Sequence, residues 1–210
     1  MIFSLNSFIG FLDCNKTITM SSGGYKIRKQ GSIHFLSFAV VGWADVFTRP
    51  QYQNIILDSL KYCQQNRGLI LNAWCLMTNH IHLVASARHL DLSDILRDFK
   101  SYTSKEIIKA IRNNEHESRK EWLLQLFRNC GEANSRNKEF QFWRQDNQPK
   151  ECFSIPFTMQ KINYIHQNPV MAGLVCRAED YRLSSAIDYA AGRQCGLLQV
   201  DSLLSNLKEH

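Results

Sequence analysis

The stretch that most constrains this chain of 210 residues is LILNAWCLMTNHIHLVAS, residues 69–86, in which only Asn72, Thr78, Asn79, His80, His82 and Ser86 are not apolar. It reads as one long strand, or as two paired segments broken around Asn72 or Asn79. A strand this apolar needs cover, and the flanking sequence supplies it. Upstream, IHFLSFAVV at 33–41 has the β-branched and aromatic content of a central strand and is closed by Gly42. RPQYQNIILDSLKYCQQNRG then places Tyr52, Ile55, Ile56, Ser59, Leu60 and Cys63 at helical spacing and stops at Gly68. Downstream, DLSDILRDFKSYTSKEIIKAIRNN opens a second helix. Strands alternating with long helices imply an α+β sandwich, a mainly antiparallel sheet covered by helices.

Within the long run, side chains alternate between two faces. Read as one continuous strand, Trp74, Leu76, Thr78, His80, His82 and Val84 share one face, and Ala73, Cys75, Met77, Ile81, Leu83 and Ala85 the other. The second face is apolar and suits a core. On the first, two imidazoles one pleat apart are able to converge on a single cation. Taken alone the H-x-H is weak evidence, because a pair of satisfied or half-exposed histidines gives the same pattern.

The second helix shows the sheet an apolar stripe of Leu92, Leu96, Phe99, Thr103, Ile107 and Ala110, and carries Arg97, Lys105, Lys109 and Arg112 on the opposite face. Asp94, Asp98 and Glu106 lie among these bases, so an ordinary solvated surface competes with an anion-binding one. Residues 113–139 turn polar around WLLQLF and resemble an insertion with one extra helix. EFQFWRQ at 139–145 reads as a strand, DNQPKECFSIP as a loop, and FTMQKINYIHQ as a helix that Pro169 ends near Gln167 or Asn168. The remainder is an irregular wrap with a short helix around SSAIDYAA. In the FTMQKINYIHQ helix, Tyr164 and Asn168 are one turn apart on nearly the same face, whereas His166 points about 200° around the axis. A core tyrosine before an Asn-Pro stop is the plain alternative, and Gln167 rivals Asn168 for any amide a site requires.

Composition narrows the partners. The formal net charge is +6, which makes nucleic acid the first acidic partner to consider. Seven cysteines without a C-x-x-C pair point to reduced thiols and a cytoplasmic setting. No secretion signal and no membrane span are expected. Residues 1–19 read as a flexible tail or an upstream start, residues 20–195 as a single domain, and residues 196–210 as a C-terminal tail. No G-x-x-x-x-G-K phosphate loop occurs.

TNHIHLV, followed about eighty residues later by INYIHQNPVMAGLV, with FW and a polar loop between, resembles the REP-associated tyrosine transposases, relatives of the IS200-like single-tyrosine transposases of the HUH group. The likeness runs from about Tyr25 to about Ala191, with DVFTR at 45–49 where the family has an HVFTR-like segment. It implies a ferredoxin-like HUH endonuclease fold. It further implies that His80 and His82 bind Mg²⁺ or Mn²⁺, that Asn168 is the third protein ligand, and that Tyr164 attacks a phosphodiester of single-stranded or hairpin DNA. A 5′-phosphotyrosine and a free 3′-hydroxyl would result, and Arg97, Lys105, Lys109 and Arg112 would track the DNA. Family members work as monomers or as homodimers, and the sequence leaves both open.

Phe142 and Trp143 are candidates for base stacking, although packing in the core is the stronger reading for aromatic residues on a strand. Two other functions compete: a metal-dependent phosphodiesterase that forms no adduct, and a catalytically silent nucleic-acid-binding module.

Overall fold

The computed structural model describes residue 27 and residues 29–134, 139–145 and 148–202. The expectations for residues 1–19 and 203–210 lie outside these. Four strands form one sheet: β1 (His34–Ala39), β2 (Leu69–Leu76), β3 (His80–Ala87) and β4 (Lys150–Glu151). Their order is β2-β3-β1-β4 with every neighbouring pair antiparallel. Helix α1 (Pro50–Arg67) joins β1 to β2, and α2 (Leu92–Asn113) with α3 (Lys120–Glu132) lies between β3 and β4. This is the split β-α-β arrangement of the ferredoxin-like fold, as expected. Two further helices follow, α4 (Ile155–Met171) and α5 (Ala186–Ala191).

Alternation along the strands sorts the two faces of the sheet. Leu36, Phe38, Trp74, Leu76, Ile81 and Leu83 enter the main core with Ile56 and Leu60 of α1 and Ile95, Phe99 and Ile107 of α2. Ala73, Cys75, Met77 and Val84 pack on the other side against Ile162 and Ile165 of α4. Helix α1 starts with Pro50 in its first turn and ends at Gly68 (φ 73°), whose N–H donates to the Cys63 carbonyl.

The long apolar run breaks at Met77–Asn79 rather than continuing, and this changes the assignment of faces. Cys75 lies directly across from His82 and Ala73 across from Val84, while Trp74 and Leu76 oppose Leu83 and Ile81. The histidines therefore share a face with Ala73 and Cys75, not with Trp74 and Leu76, because Met77 closes the hairpin on His80, its N–H donating to the His80 carbonyl at 2.8 Å, and the two-residue turn Thr78–Asn79 sets residues of opposite parity across from one another. A second irregularity, a bulge between Leu71 and Ala73, frees Asn72 to donate to the Asp201 carbonyl at 2.9 Å.

Three further expectations are corrected. Residues 139–145 form no strand beyond a single bridge from Trp143 to Val40; Phe142 and Trp143, consecutive in sequence, both enter the main core with ring centroids 4.8 Å apart, where a regular pleat would send them to opposite faces. The fourth strand is instead Lys150–Glu151, within the segment read as a loop. Helix α4 continues through Pro169 to Met171, because the true stop lies later. Gly173 (φ 70°) donates to the Val170 carbonyl, and Leu174 to that of Pro169. This paired C-terminal closure tolerates a proline in the last turn. Beyond residue 195, Leu198 is buried, and the Asp201 N–H donates to the Leu71 carbonyl at 2.8 Å.

Residues 113–134, the described part of the segment read as an insertion, pack into this architecture. Their helix α3 buries Leu123 and Phe127 in the main core, and Leu126 packs against Gly42 (φ 62°), where a Cβ would meet it at 3.1 Å. At its start Glu117, fully buried, accepts from Arg49 Nε at 2.6 Å, Arg119 Nε at 3.1 Å and the Tyr52 hydroxyl at 3.4 Å. Burial pushes this carboxyl up, but hydrogen bonds from Arg119 and Arg49 outweigh it and hold the pKa at about 2. Arg119 also donates to the Asp45 carbonyl at 2.8 Å, tying this knot to the loop after β1. Among the described residues no helix is long and apolar enough to cross a membrane.

Candidate active site

His80 opens β3 and His82 follows one pleat later, both on the α4 side of the sheet. Small residues stand across from them: Ala39 opposite His80, and Ser37 and Cys75 opposite His82. The two imidazole rings meet edge to face with centroids 4.7 Å apart. Helix α4 crosses this face and brings the Tyr164 ring to 5.6 Å from the His82 ring. Phe35 of β1 lies beneath both, stacked on His82 at 5.5 Å and 5.9 Å from Tyr164. Tyr164 is 52% exposed, and its hydroxyl makes no hydrogen bond among the described residues. A ring seated on aromatic neighbours with its oxygen in the open combines fixed position with access.

One amide sets the state of His80. Asn79 Nδ2 donates to the Trp43 carbonyl at 3.2 Å, which makes Oδ1 the acceptor toward His80 Nδ1, 2.7 Å away. His80 then carries its proton on Nδ1 and its lone pair on Nε2, the arrangement that a hydrogen-bond acceptor behind the ring gives a metal-binding imidazole. Burial pushes the His80 pKa down, with the Asp45 carboxylate acting weakly against it. Burial and then the charge of His80 bring His82 down to about 3. Both rings are therefore neutral at ordinary pH, as cation ligation requires. Nδ1 of His82 is buried without a hydrogen-bond partner, a deficit that a cation or an ordered water relieves.

The pair thus fits a cation, but not as part of a closed cage. Among the described residues no three His, Cys, Asp or Glu side chains converge as a metal centre. Amide, water or substrate oxygens would have to complete the shell. Asn168 stands one turn after Tyr164, and its Nδ2 donates back to the Tyr164 carbonyl at 3.0 Å, leaving the amide oxygen as its acceptor end. Gln167, three residues after Tyr164, is exposed. His166, set aside on helical geometry, is buried with Nε2 2.8 Å from Ser185 Oγ and takes no part.

The basic residues of α2 are not brought to this site. Helix α2 covers the opposite face of the sheet, where Arg97, Lys105, Lys109 and Arg112 border a groove shared with Phe140 and Gln141. Arg97 is already paired with Asp94 at 2.6 Å, and Arg112 with Glu139 at 3.1 Å, whereas Lys105 and Lys109 stand exposed. Phe142 and Trp143 are core residues, and Trp143 Nε1 donates to Thr103 Oγ1 at 3.0 Å. Three residues beside the histidines escaped sequence reasoning. Lys161 lies 5.5 Å over the Phe35 ring, Trp43 meets His80 edge to face at 5.9 Å, and Arg144 lies 5.0 Å over the Trp43 ring. The spacing of Lys161, three residues before Tyr164 and so on the same helical face, was a usable signal. Trp43 gave none, because VVGW reads as the end of a strand.

The family model described as "Transposase IS200 like" matches residues 34–128. That span includes both histidines and ends before Tyr164 and Asn168. No curated protein matches the chain. A solved structure of a REP-associated tyrosine transposase bound to a REP hairpin is similar, with a TM-score of 0.58 at 17% identity, covering 87% of this chain and 93% of that one. At that identity the likeness is one of fold, and it bears out the expected ferredoxin-like architecture. Over residues 34–128 the chain is thus similar to the IS200-like transposases, on a fold that it shares with a REP-associated tyrosine transposase.

Proposed function

We propose that this protein is a transposase that cuts and rejoins single-stranded or hairpin DNA through Tyr164. The observation that carries the reading is the seating of an exposed tyrosine, from a helix outside the matched family segment, 5.6 Å from the second of two neutral, adjacent histidines. The Tyr164 oxygen attacks the phosphorus as its proton is removed. The bond from phosphorus to the 3′-oxygen breaks, and that oxygen leaves as a hydroxyl after taking up a proton. The protein is left with a 5′-phosphotyrosine, and attack by another 3′-hydroxyl reverses the step and joins strands without a nucleotide cofactor.

His80 and His82 would hold a divalent cation, Mg²⁺ or Mn²⁺, with Asn168 as third ligand and Gln167 as its rival. Such an ion neutralises charge on the scissile phosphate and lowers the barrier to its attack. Phe35 and the body of α4 fix the Tyr164 ring, and Asn79 fixes His80. The α2 stripe serves sequence-independent contact with the phosphate backbone, remote from the chemistry.

The deciding assay incubates the protein with labelled hairpin DNA carrying single-stranded arms, with Mn²⁺ present, and resolves the products on a denaturing gel. A protein-linked DNA band is expected, absent in Tyr164→Phe and with chelator. His80→Ala should lose cleavage and keep most DNA binding. Cleavage that persists in Tyr164→Phe with no adduct would establish instead a water-using phosphodiesterase.

A further inference from the structure

Trp43 occupies a position that neither packing nor backbone preference explains. The loop from Val40 to Phe47 is anchored by Val40, Val41, Ala44, Val46 and Phe47, all buried, yet Trp43 in its middle is 53% exposed. Its φ is +52°, and it is the one described residue other than glycine with positive φ. A bulky side chain is disfavoured in that region. Two hydrogen bonds hold the turn in this form: the Trp43 N–H donates to the Val40 carbonyl at 3.1 Å, and Asn79 Nδ2 donates to the Trp43 carbonyl at 3.2 Å. The chain thus spends a strained turn to hold a large aromatic out of the core.

What Trp43 borders indicates its use. His80 meets the indole edge to face at 5.9 Å, and the Arg144 guanidinium lies over the ring at 5.0 Å. An exposed indole paired with a cation beside a phosphate-handling centre is the combination that binds unpaired nucleobases, the ring stacking the base and the cation meeting its backbone. We propose that Trp43 is the stacking platform for a single unpaired base next to the scissile phosphate, with Arg144 as its partner. This rests on the reading of the site as one for single-stranded DNA. It moves the stacking role from Phe142 and Trp143, which are buried, to an aromatic on the site's own rim.

The test uses Tyr164→Phe protein, so that binding is measured without cleavage, and a DNA hairpin with single-stranded arms in which one base at a time is removed to leave an abasic nucleotide. Trp122→Phe removes the other exposed indole, so that fluorescence quenching on binding reports Trp43. Loss of one particular base should weaken binding and abolish quenching, with an effect on the order of 10-fold. Trp43→Ala should show a similar loss on intact DNA and no further loss when that base is missing. Trp43→Phe, which keeps a ring, should retain most of the affinity, and melting curves should show both variants folded. Equal affinities of Trp43→Ala and its parent, or losses that add independently of which base is absent, would overturn the proposal. Failure of the unmodified protein to form an adduct would sink the tyrosine mechanism while leaving this coupling intact, so the two failures are distinguishable.

Discussion

Replacing Glu117 by Gln tests how the 113–139 segment is held, and its magnitude follows from the geometry. The carboxylate has no exposed surface and accepts from Arg49, Arg119 and Tyr52. Its pKa is about 2 against an ordinary value of 4.5. A carboxyl whose folded pKa is depressed contributes stability that is fully present above its unfolded pKa and is lost as pH falls through the folded one. The difference corresponds to about 3 kcal/mol, present above pH 4.5 and gone near pH 2. Glu117→Gln removes the charge and strands two arginines against a partner that cannot neutralise them, so destabilisation of about 3 kcal/mol is expected at neutral pH. Denaturant unfolding at a series of pH values measures both quantities. The wild-type minus variant difference should be largest near pH 7 and shrink across the acid limb. A constant difference from pH 7 to pH 2, or none at all, would refute the claim that the ion-pair knot carries this stability. Because Arg119 also holds the Asp45 carbonyl, the variant should bind single-stranded DNA more weakly even where it is folded.

Two other outcomes are expected. Lys105→Ala with Lys109→Ala should weaken DNA binding and lower the slope of log affinity against log salt by about 1.5, leaving adduct formation at saturating DNA unchanged; an unaltered slope would show that the α2 stripe is only a solvated face. Tyr164 packs on His82 of its own chain, so a mixture of Tyr164→Phe and His80→Ala proteins should form no adduct. Restored adduct in that mixture would show that the tyrosine serves a second copy.

The readable parts of the fold were those with a long period. Helices α1 and α2 and strand β1 declare themselves through repeated burial, and Gly68 marks a stop where its left-handed φ lets it cap α1. Strand β4, two residues long, has no period to detect. Phe142 and Trp143 carried the composition of a strand but owe their burial to tertiary packing against Phe127, Thr103 and Phe38. The histidine pair was visible, yet its face was misassigned, since counting alternation through a turn requires the turn's length. Tyr164 and Asn168 could be paired by helical spacing, but only family resemblance connected them to His80 across the chain. The Glu117 knot and Trp43 left no trace in the sequence because each depends on distant partners or on one backbone angle.

Asn79 joins parts of the site that would otherwise vary separately. The same amide that orients the His80 ring also fixes the carbonyl of Trp43. If His80 holds a cation as proposed, a substitution there would shift its affinity and the indole's placement in one step, making changes at residues 43, 79 and 80 non-additive. Retuning the proposed cation preference while keeping the proposed hold on DNA would have to work around that shared side chain, through Asp45 or through Asn168 of α4, rather than through the turn itself.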